Sequence, residues 1–319
     1  MRTLAILLSI AALPFATAQE LRRGLVTADA VVVARQVAKT PHGDEVVLHR
    51  LQVVLDVRGA SGVGAVTVID WPKLALHQRP MLRQSRLYCL QDAAPTAQRL
   101  GLPANDGPYY TMVAWPGSNP LVGADPAADA TVRFAQLLAG GETGTPPDTT
   151  AQGLATMALQ TDPVVRVEAA RYLAERPDLR SRLGGLTWSR LVARAAGEVD
   201  DVGYKIALAE LCAEQRLEGV FDALVVGLGQ VQDAEYARTV GRLGAGLHGE
   251  EAATRLRTRL LQAVEPAARK GLLLALGATN TTTALDTLLG MDRRDGAVEA
   301  ALREHRSPRA RDAVSRKND

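Results

Sequence analysis

Aromatic side chains are scarce in this chain of 319 residues, at 4% of the sequence, while Ala, Leu and Val abound. A core with few rings is filled by small aliphatic groups, which suits helices that approach one another closely. Cysteine is almost missing: Cys89 and Cys212 stand far apart, each in apolar text. A bridge needs Cα atoms within about 7 Å, so the expectation is two buried free thiols rather than a disulfide framework. Histidine is sparse, at positions 42, 49, 77, 248 and 305, and no pair has the His-x-x-x-His spacing that aims two imidazoles at one zinc ion. There is no Gly-x-Ser-x-Gly elbow, and the Gly-rich stretch Gly59–Gly64 lacks the Lys-Ser/Thr of a phosphate loop. Carboxylates are plentiful but alternate with arginine on expected helices, so no acid and base pair stands out. These gaps point away from an enzyme, and no metal or cofactor is expected. A strong field of one sign is also missing, since the formal net charge is +2, which excludes the profile of a nucleic-acid binder.

Long apolar runs are missing except at the start, where Arg2 precedes Leu4–Phe15 and then Ala16-Thr17-Ala18. That order fits a secretory signal, residues 1–18, cleaved after Ala18. The run is shorter than the roughly 20 residues of a spanning helix and holds Pro14. The expected location is therefore extracytoplasmic, periplasmic or secreted, with no membrane span after cleavage.

What the chain does contain changes character midway. From Ala30 the text is Val-Val-Val-Ala, and after a turn at Thr40-Pro41-His42-Gly43-Asp44 it resumes at Val46. Val47, His49, Leu51, Val53, Leu55 and Val57 then share one face at a period of two, a half-buried strand ended by Gly59. His49 on that face reads as a hydrogen-bonded core or rim histidine. Shorter β-rich runs follow at 65–69, 86–90 and 109–114, fenced by Gly, Pro, Asn or Asp. Five strands without a long helix between them predict a small antiparallel barrel or sandwich over residues 19–124. Between Asp70 and Asp92 there is no acidic residue, while Lys73, His77, Arg79, Arg83 and Arg86 supply positive charge. This 71–86 loop either covers an open end of the barrel with its leucines or attracts an anionic ligand, a polysaccharide or phosphate. The order of strands, with Arg86-Leu87-Tyr88-Cys89-Leu90, resembles OB-like or netrin-module β domains, although the N-terminal cysteine of netrin-like modules is absent.

Residues 125–148 read as a connecting helix, 127–139, and linker text. Beyond them Leu173-Ala174, Cys212-Ala213, Leu243-Gly244, Leu276-Gly277 and Leu302-Arg303 align at intervals of 39, 31, 33 and 26 residues. Such spacing predicts two-helix repeats. First helices are read at 149–159, 186–196, 218–228, 250–264 and 281–289, and second helices start near Pro163, Asp201, Ala234, Pro266 and Gly296. Asp162, Asp200 or Asp201, Asp233, Glu265 and Asp295 stand at the turns, where an acidic side chain suits a helix N-terminus. Ala169, Ala170, Ala209 and Ala213 allow close approach of neighbouring helices. Asp162-Pro163-Val164-Val165-Arg166, followed by Ala and then Leu-Ala, is similar to the second helix of HEAT repeats, of the kind also seen in phycobilisome-lyase-like proteins. The resemblance implies an α-solenoid of about five helical pairs over residues 149–306, and that Arg166, Lys205 and Arg269 pair with turn aspartates of adjacent repeats. Tyr236 takes that place in the third unit. The enzymatic label of the lyases is not inherited with the repeat.

The reading as a whole is α+β: a β domain, a helical array, and a polar tail, 307–319, expected to be frayed. The function expected is a secreted, non-enzymatic interaction scaffold whose partner is another protein of the envelope or extracellular space. The alternative is a secreted enzyme or inhibitor in which the β domain acts and the repeats orient it.

Overall fold

The computed structural model describes residues 21–72, 84–113, 119–160, 162–197, 201–216, 219–229, 233–292 and 294–315. The expected signal segment, Lys73, His77, Arg79 and Arg83 of the basic loop, and Asp200 lie outside the described residues. The fold is α+β, a five-stranded mixed sheet followed by many helices, and it divides into two compact units between Ala169 and Ala170. The first helical pair thus belongs largely with the sheet rather than with the later helices.

In the first unit, residues 21–27 form α1, which buries Leu21 and Leu25 one turn apart. Arg58 fastens its end by donating to the Leu25 carbonyl at 2.7 Å and to that of Ala28. Strand β1 (Ala30–His42) and strand β2 (Val46–Arg58) form a long hairpin. Thr40-Pro41-His42 remain in β1 rather than in the turn, which falls at 43–45 with Gly43 at φ 64°. Among the described residues only β2 flanks β1 beyond Arg35, so a proline without an N–H is tolerated at its outer end. Ala30 through Ala34 are all buried, because this half of β1 is paired on both sides and covered on both faces.

Strands β3 (Ala65–Asp70), β4 (Ser85–Asp92) and β5 (Tyr109–Met112) complete the sheet in the order β1-β2-β3-β5-β4, with β4 returning to β1. The expectation of a wholly antiparallel sheet is corrected at one place: β3 and β5 are parallel. Strand β4 crosses over to pair with β1, Val32 opposite Tyr88, and leaves the place beside β3 to β5. A parallel return needs a crossover, and helix α2 (Ala94–Arg99) with a 3-10 turn at Ala104–Asp106 supplies it. Register shifts that leave Val54 and Val57 of β2 and Val37 of β1 without an opposite residue bend the hairpin, and both faces of β2 carry core residues where a single apolar face is expected. Leu51 and Val53 join Val32, Val68 and Tyr88 in one core, while Val46 and Leu48 join Ile69 and Tyr109 in another. Gly59, at φ 79°, is required at the end of β2, since a Cβ there would run into the carbonyl of Asp29.

Helix α3 (Ala130–Thr143) starts at Asp129, whose carboxylate accepts from Thr131 N–H at 2.9 Å. The text expected as a linker is mostly helical: α3 runs to Thr143, Gly144 closes it in the left-handed region, and Pro147 opens α4 (Pro147–Ala158). Helix α5 (Pro163–Glu175) carries the division between the units.

The second unit continues with α6 (Pro177–Arg180), α7 (Gly185–Ala196), α8 (Val202–Glu214), α9 (Val220–Gly227) and α10 (Ala234–His248). It ends with α11 (Glu250–Gln262), α12 (Pro266–Ala278), α13 (Thr282–Leu289), α14 (Gly296–Glu304) and α15 (Pro308–Ser315). Second helices pack in chain order, α8 on α10, α10 on α12 and α12 on α14, while α7 meets α9 and α11 meets α13. Two of these packings are backbone to backbone. A Cβ on Gly241 would strike the Ala275 carbonyl, and one on Gly277 would strike that of Ala301. The tail expected to fray contains α15, capped by the Ser307 hydroxyl, which accepts from Ala310 N–H at 3.2 Å. Its buried stripe is Ala310 and Ala313, set among arginines on a helix of low mean hydropathy.

Candidate functional site

The residues most suited to chemistry are committed to structure. His49 is buried in β2 with Nε2 3.3 Å from the Asp70 carboxylate, as a core histidine requires. Both thiols are free and buried, and burial pushes each up to about 12. Among the described residues no three His, Cys, Asp or Glu gather as a metal site would require. The Tyr88 hydroxyl is buried without a hydrogen-bond partner among the described residues, and desolvation raises it to about 12. It faces the apolar interior of the sheet.

Arg86 departs from its expected place in a basic loop. It lies in β4, 5% exposed, and donates from Nη1 to the Asn119 carbonyl at 3.0 Å. Asn119 in turn accepts the Cys89 N–H at 3.0 Å, so this arginine anchors the segment after β5 rather than offering charge to a ligand.

The repeat residues are placed as follows. Asp162 accepts from Val165 N–H at 2.9 Å, Asp201 from Tyr204 N–H at 3.2 Å, Asp233 from Tyr236 N–H at 2.9 Å and Asp295 from Ala297 N–H at 2.8 Å. Glu265 departs from this pattern: it occupies the cap position but its side chain makes no capping bond. Its longer side chain suits the cap poorly compared with Asp. Arg269 lies 3.6 Å from Asp295, the aspartate at the start of α14. Lys205 is fully buried, donates to the Gly197 carbonyl at 2.9 Å and sits 5.2 Å from the centre of the Tyr236 ring. Tyr236, at the same repeat position, donates its hydroxyl to the Leu224 carbonyl at 3.1 Å. Lys205 and Tyr236 share a donor that reaches back to the preceding first helix, not a charge. Arg166 is half-buried on α5.

The exposed edges of the second helices are laced by their own charges. Glu235 meets Arg242 at 2.8 Å and Arg238 at 3.3 Å, and Arg238 meets Glu304 at 2.8 Å. Glu210 on α8 is half-buried, and desolvation raises its pKa against the opposing pull of Arg171 and Arg242.

The first helices differ. Between α9 and α11 lies a groove of about 270 Å³ lined by Val226, Gly229, Arg259, Gln262 and Ala268, among others. Between α11 and α13 lies a second, of about 480 Å³, lined by Arg257, Leu260, Leu261, Asp286, Thr287 and Met291, among others. Leu261 is 78% exposed and Val264, just beyond the end of α11, 90%. Arg257 and Arg259 are exposed and make no ion pair among the described residues. Apolar side chains flanked by uncompensated charge on adjacent grooves make this the candidate contact surface. Sequence reasoning passed over it, although Arg257-Thr258-Arg259-Leu260-Leu261 carried the signal: Leu256 and Leu260 fill the buried stripe, leaving Leu261 and Val264 without an inward place. No known protein family, curated protein or solved structure matches the chain.

Proposed function

We propose that this chain is an extracytoplasmic, non-enzymatic interaction scaffold, a barrel-like β domain followed by a HEAT-like α-solenoid, whose partner is another protein of the envelope or extracellular space. The observation that carries the reading is the pair of grooves flanking α11, with Leu261 exposed in the wall of one and Val264 exposed just beyond the end of the helix. Large apolar side chains held outward at this exposure cost solubility unless a partner covers them. The contact surface on this reading lies on first helices, because the second helices satisfy their own charges.

The test uses the full chain and the Leu261→Glu/Val264→Glu variant, each immobilised and exposed to an envelope fraction under chemical crosslinking. A partner retained by the parent and lost by the variant, with helical content unchanged by circular dichroism, supports the scaffold. Equal retention by both removes this surface from the proposal. The location is tested separately: N-terminal sequencing of the exported protein is expected to begin at Gln19.

A further inference from the structure

The two grooves share one wall, α11, and that geometry narrows the partner. Packed helices lie roughly 8–10 Å apart, so grooves on either side of α11 are separated by about one helix diameter. A helix rises about 1.5 Å per residue, so residues seven apart along a partner helix are about 10.5 Å apart. A helix crossing α11 therefore places one large apolar side chain in the α9/α11 groove, beside Val226 and Ala268, and another in the α11/α13 groove, beside Leu261 and Met291. The charges at the two mouths are Arg259 and Arg257, both exposed and neither in an ion pair among the described residues. Asp286, the one carboxylate lining the larger groove, is 3.5 Å from Arg309 and is thereby compensated from α15. The surface is left with apolar side chains in both grooves, threonines beside them in the larger one, and at each mouth an arginine in no ion pair among the described residues.

The geometry points to an acidic amphipathic helix of a partner protein as the occupant, with large apolar residues at i and i+7 and carboxylates between them facing Arg257 and Arg259. This rests on the scaffold reading above and specifies what that scaffold holds. Apolar burial supplies the affinity, and the arginines select the sign of the partner.

The test is fluorescence anisotropy with the full chain and two labelled 18-residue helical peptides that share leucines at i, i+3, i+7 and i+10. One carries glutamate at its polar positions and the other lysine. The acidic peptide is expected to bind at least about tenfold more tightly, two uncompensated arginines each contributing up to about fivefold at low salt. In Arg257→Glu/Arg259→Glu the preference is expected to reverse, and in Leu261→Ser/Val264→Ser the affinity for the acidic peptide is expected to fall about tenfold. All four side chains are exposed, so circular dichroism should show every variant folded. Equal affinity for both peptides, no binding of either, or indifference to the charge reversal overturns the inference. So does a dimer, seen by light scattering, that Leu261→Ser/Val264→Ser dissolves, because a second copy then covers the face. Envelope-protein capture that needs Leu261 but ignores the charge reversal keeps the scaffold and overturns the acidic helix.

Discussion

Single side chains carry much of the second unit. The Tyr236 hydroxyl donates to the buried Leu224 carbonyl at 3.1 Å, and its removal takes that bond away. Tyr236→Phe is expected to cost about 1–3 kcal/mol in denaturant unfolding. Two glutamates should respond to pH in opposite senses. Glu210 has its pKa raised by burial, so its charged form works against folding above the ordinary carboxylate range, and that burden lifts as pH falls through the raised value. Glu210→Gln should therefore raise the melting temperature at pH 7 and change little at pH 4. Glu250 accepts the backbone N–H groups of Thr283 and Thr282 at the start of α13, and these bonds hold its pKa below the ordinary Glu value. Its contribution is present above the unfolded pKa and vanishes as pH falls through the depressed one. Glu250→Gln should lower the melting temperature at pH 7 and leave it unchanged near pH 3. The cap aspartates were legible in the sequence because they are local. That Tyr236 makes the same backward donation as Lys205 was not, since the exchange preserves a donor and its direction rather than a residue class.

Elements were more legible than their pairings. The strand starts and the helical pairs follow from period and punctuation, as with Pro163 at the start of α5 and Pro266 at the start of α12. The parallel pairing of β3 with β5 was not legible, because it depends on where β4 goes, and β4 pairs with a strand more than fifty residues earlier. The closeness of α10, α12 and α14 was legible only in kind. Small residues foretold tight packing, yet only coordinates assign the backbone contacts to Gly241 and Gly277. Gly277→Ala forces a methyl group against the Ala301 carbonyl and should destabilise by about 1–3 kcal/mol, with Gly246→Ala, in open space on α10, as the neutral or stabilising control. Helix α15 escaped notice because its mean hydropathy is low, two alanines being all the apolar surface it buries.

At the scale of the whole chain, the proposed extracytoplasmic location and two unpaired thiols are compatible only if neither thiol meets oxidant. Burial that raises both to about 12 provides this. A thiol reagent should label neither cysteine in the native protein and both after denaturation, and a reductant should leave the melting temperature unmoved. Early labelling of either would contradict the burial of Cys89 or Cys212. The trio formed by Lys205, Gly227 and Tyr236 has a consequence for anyone rebuilding the array. A Cβ at position 227 would come within 2.5 Å of the tyrosine hydroxyl and 3.1 Å of the lysine Cε, so three successive helices interlock around a missing side chain. Helices cut out, duplicated or transplanted must therefore carry all three residues as one cassette, and a graft that severs them will leave an ammonium ion stranded in a dry seam.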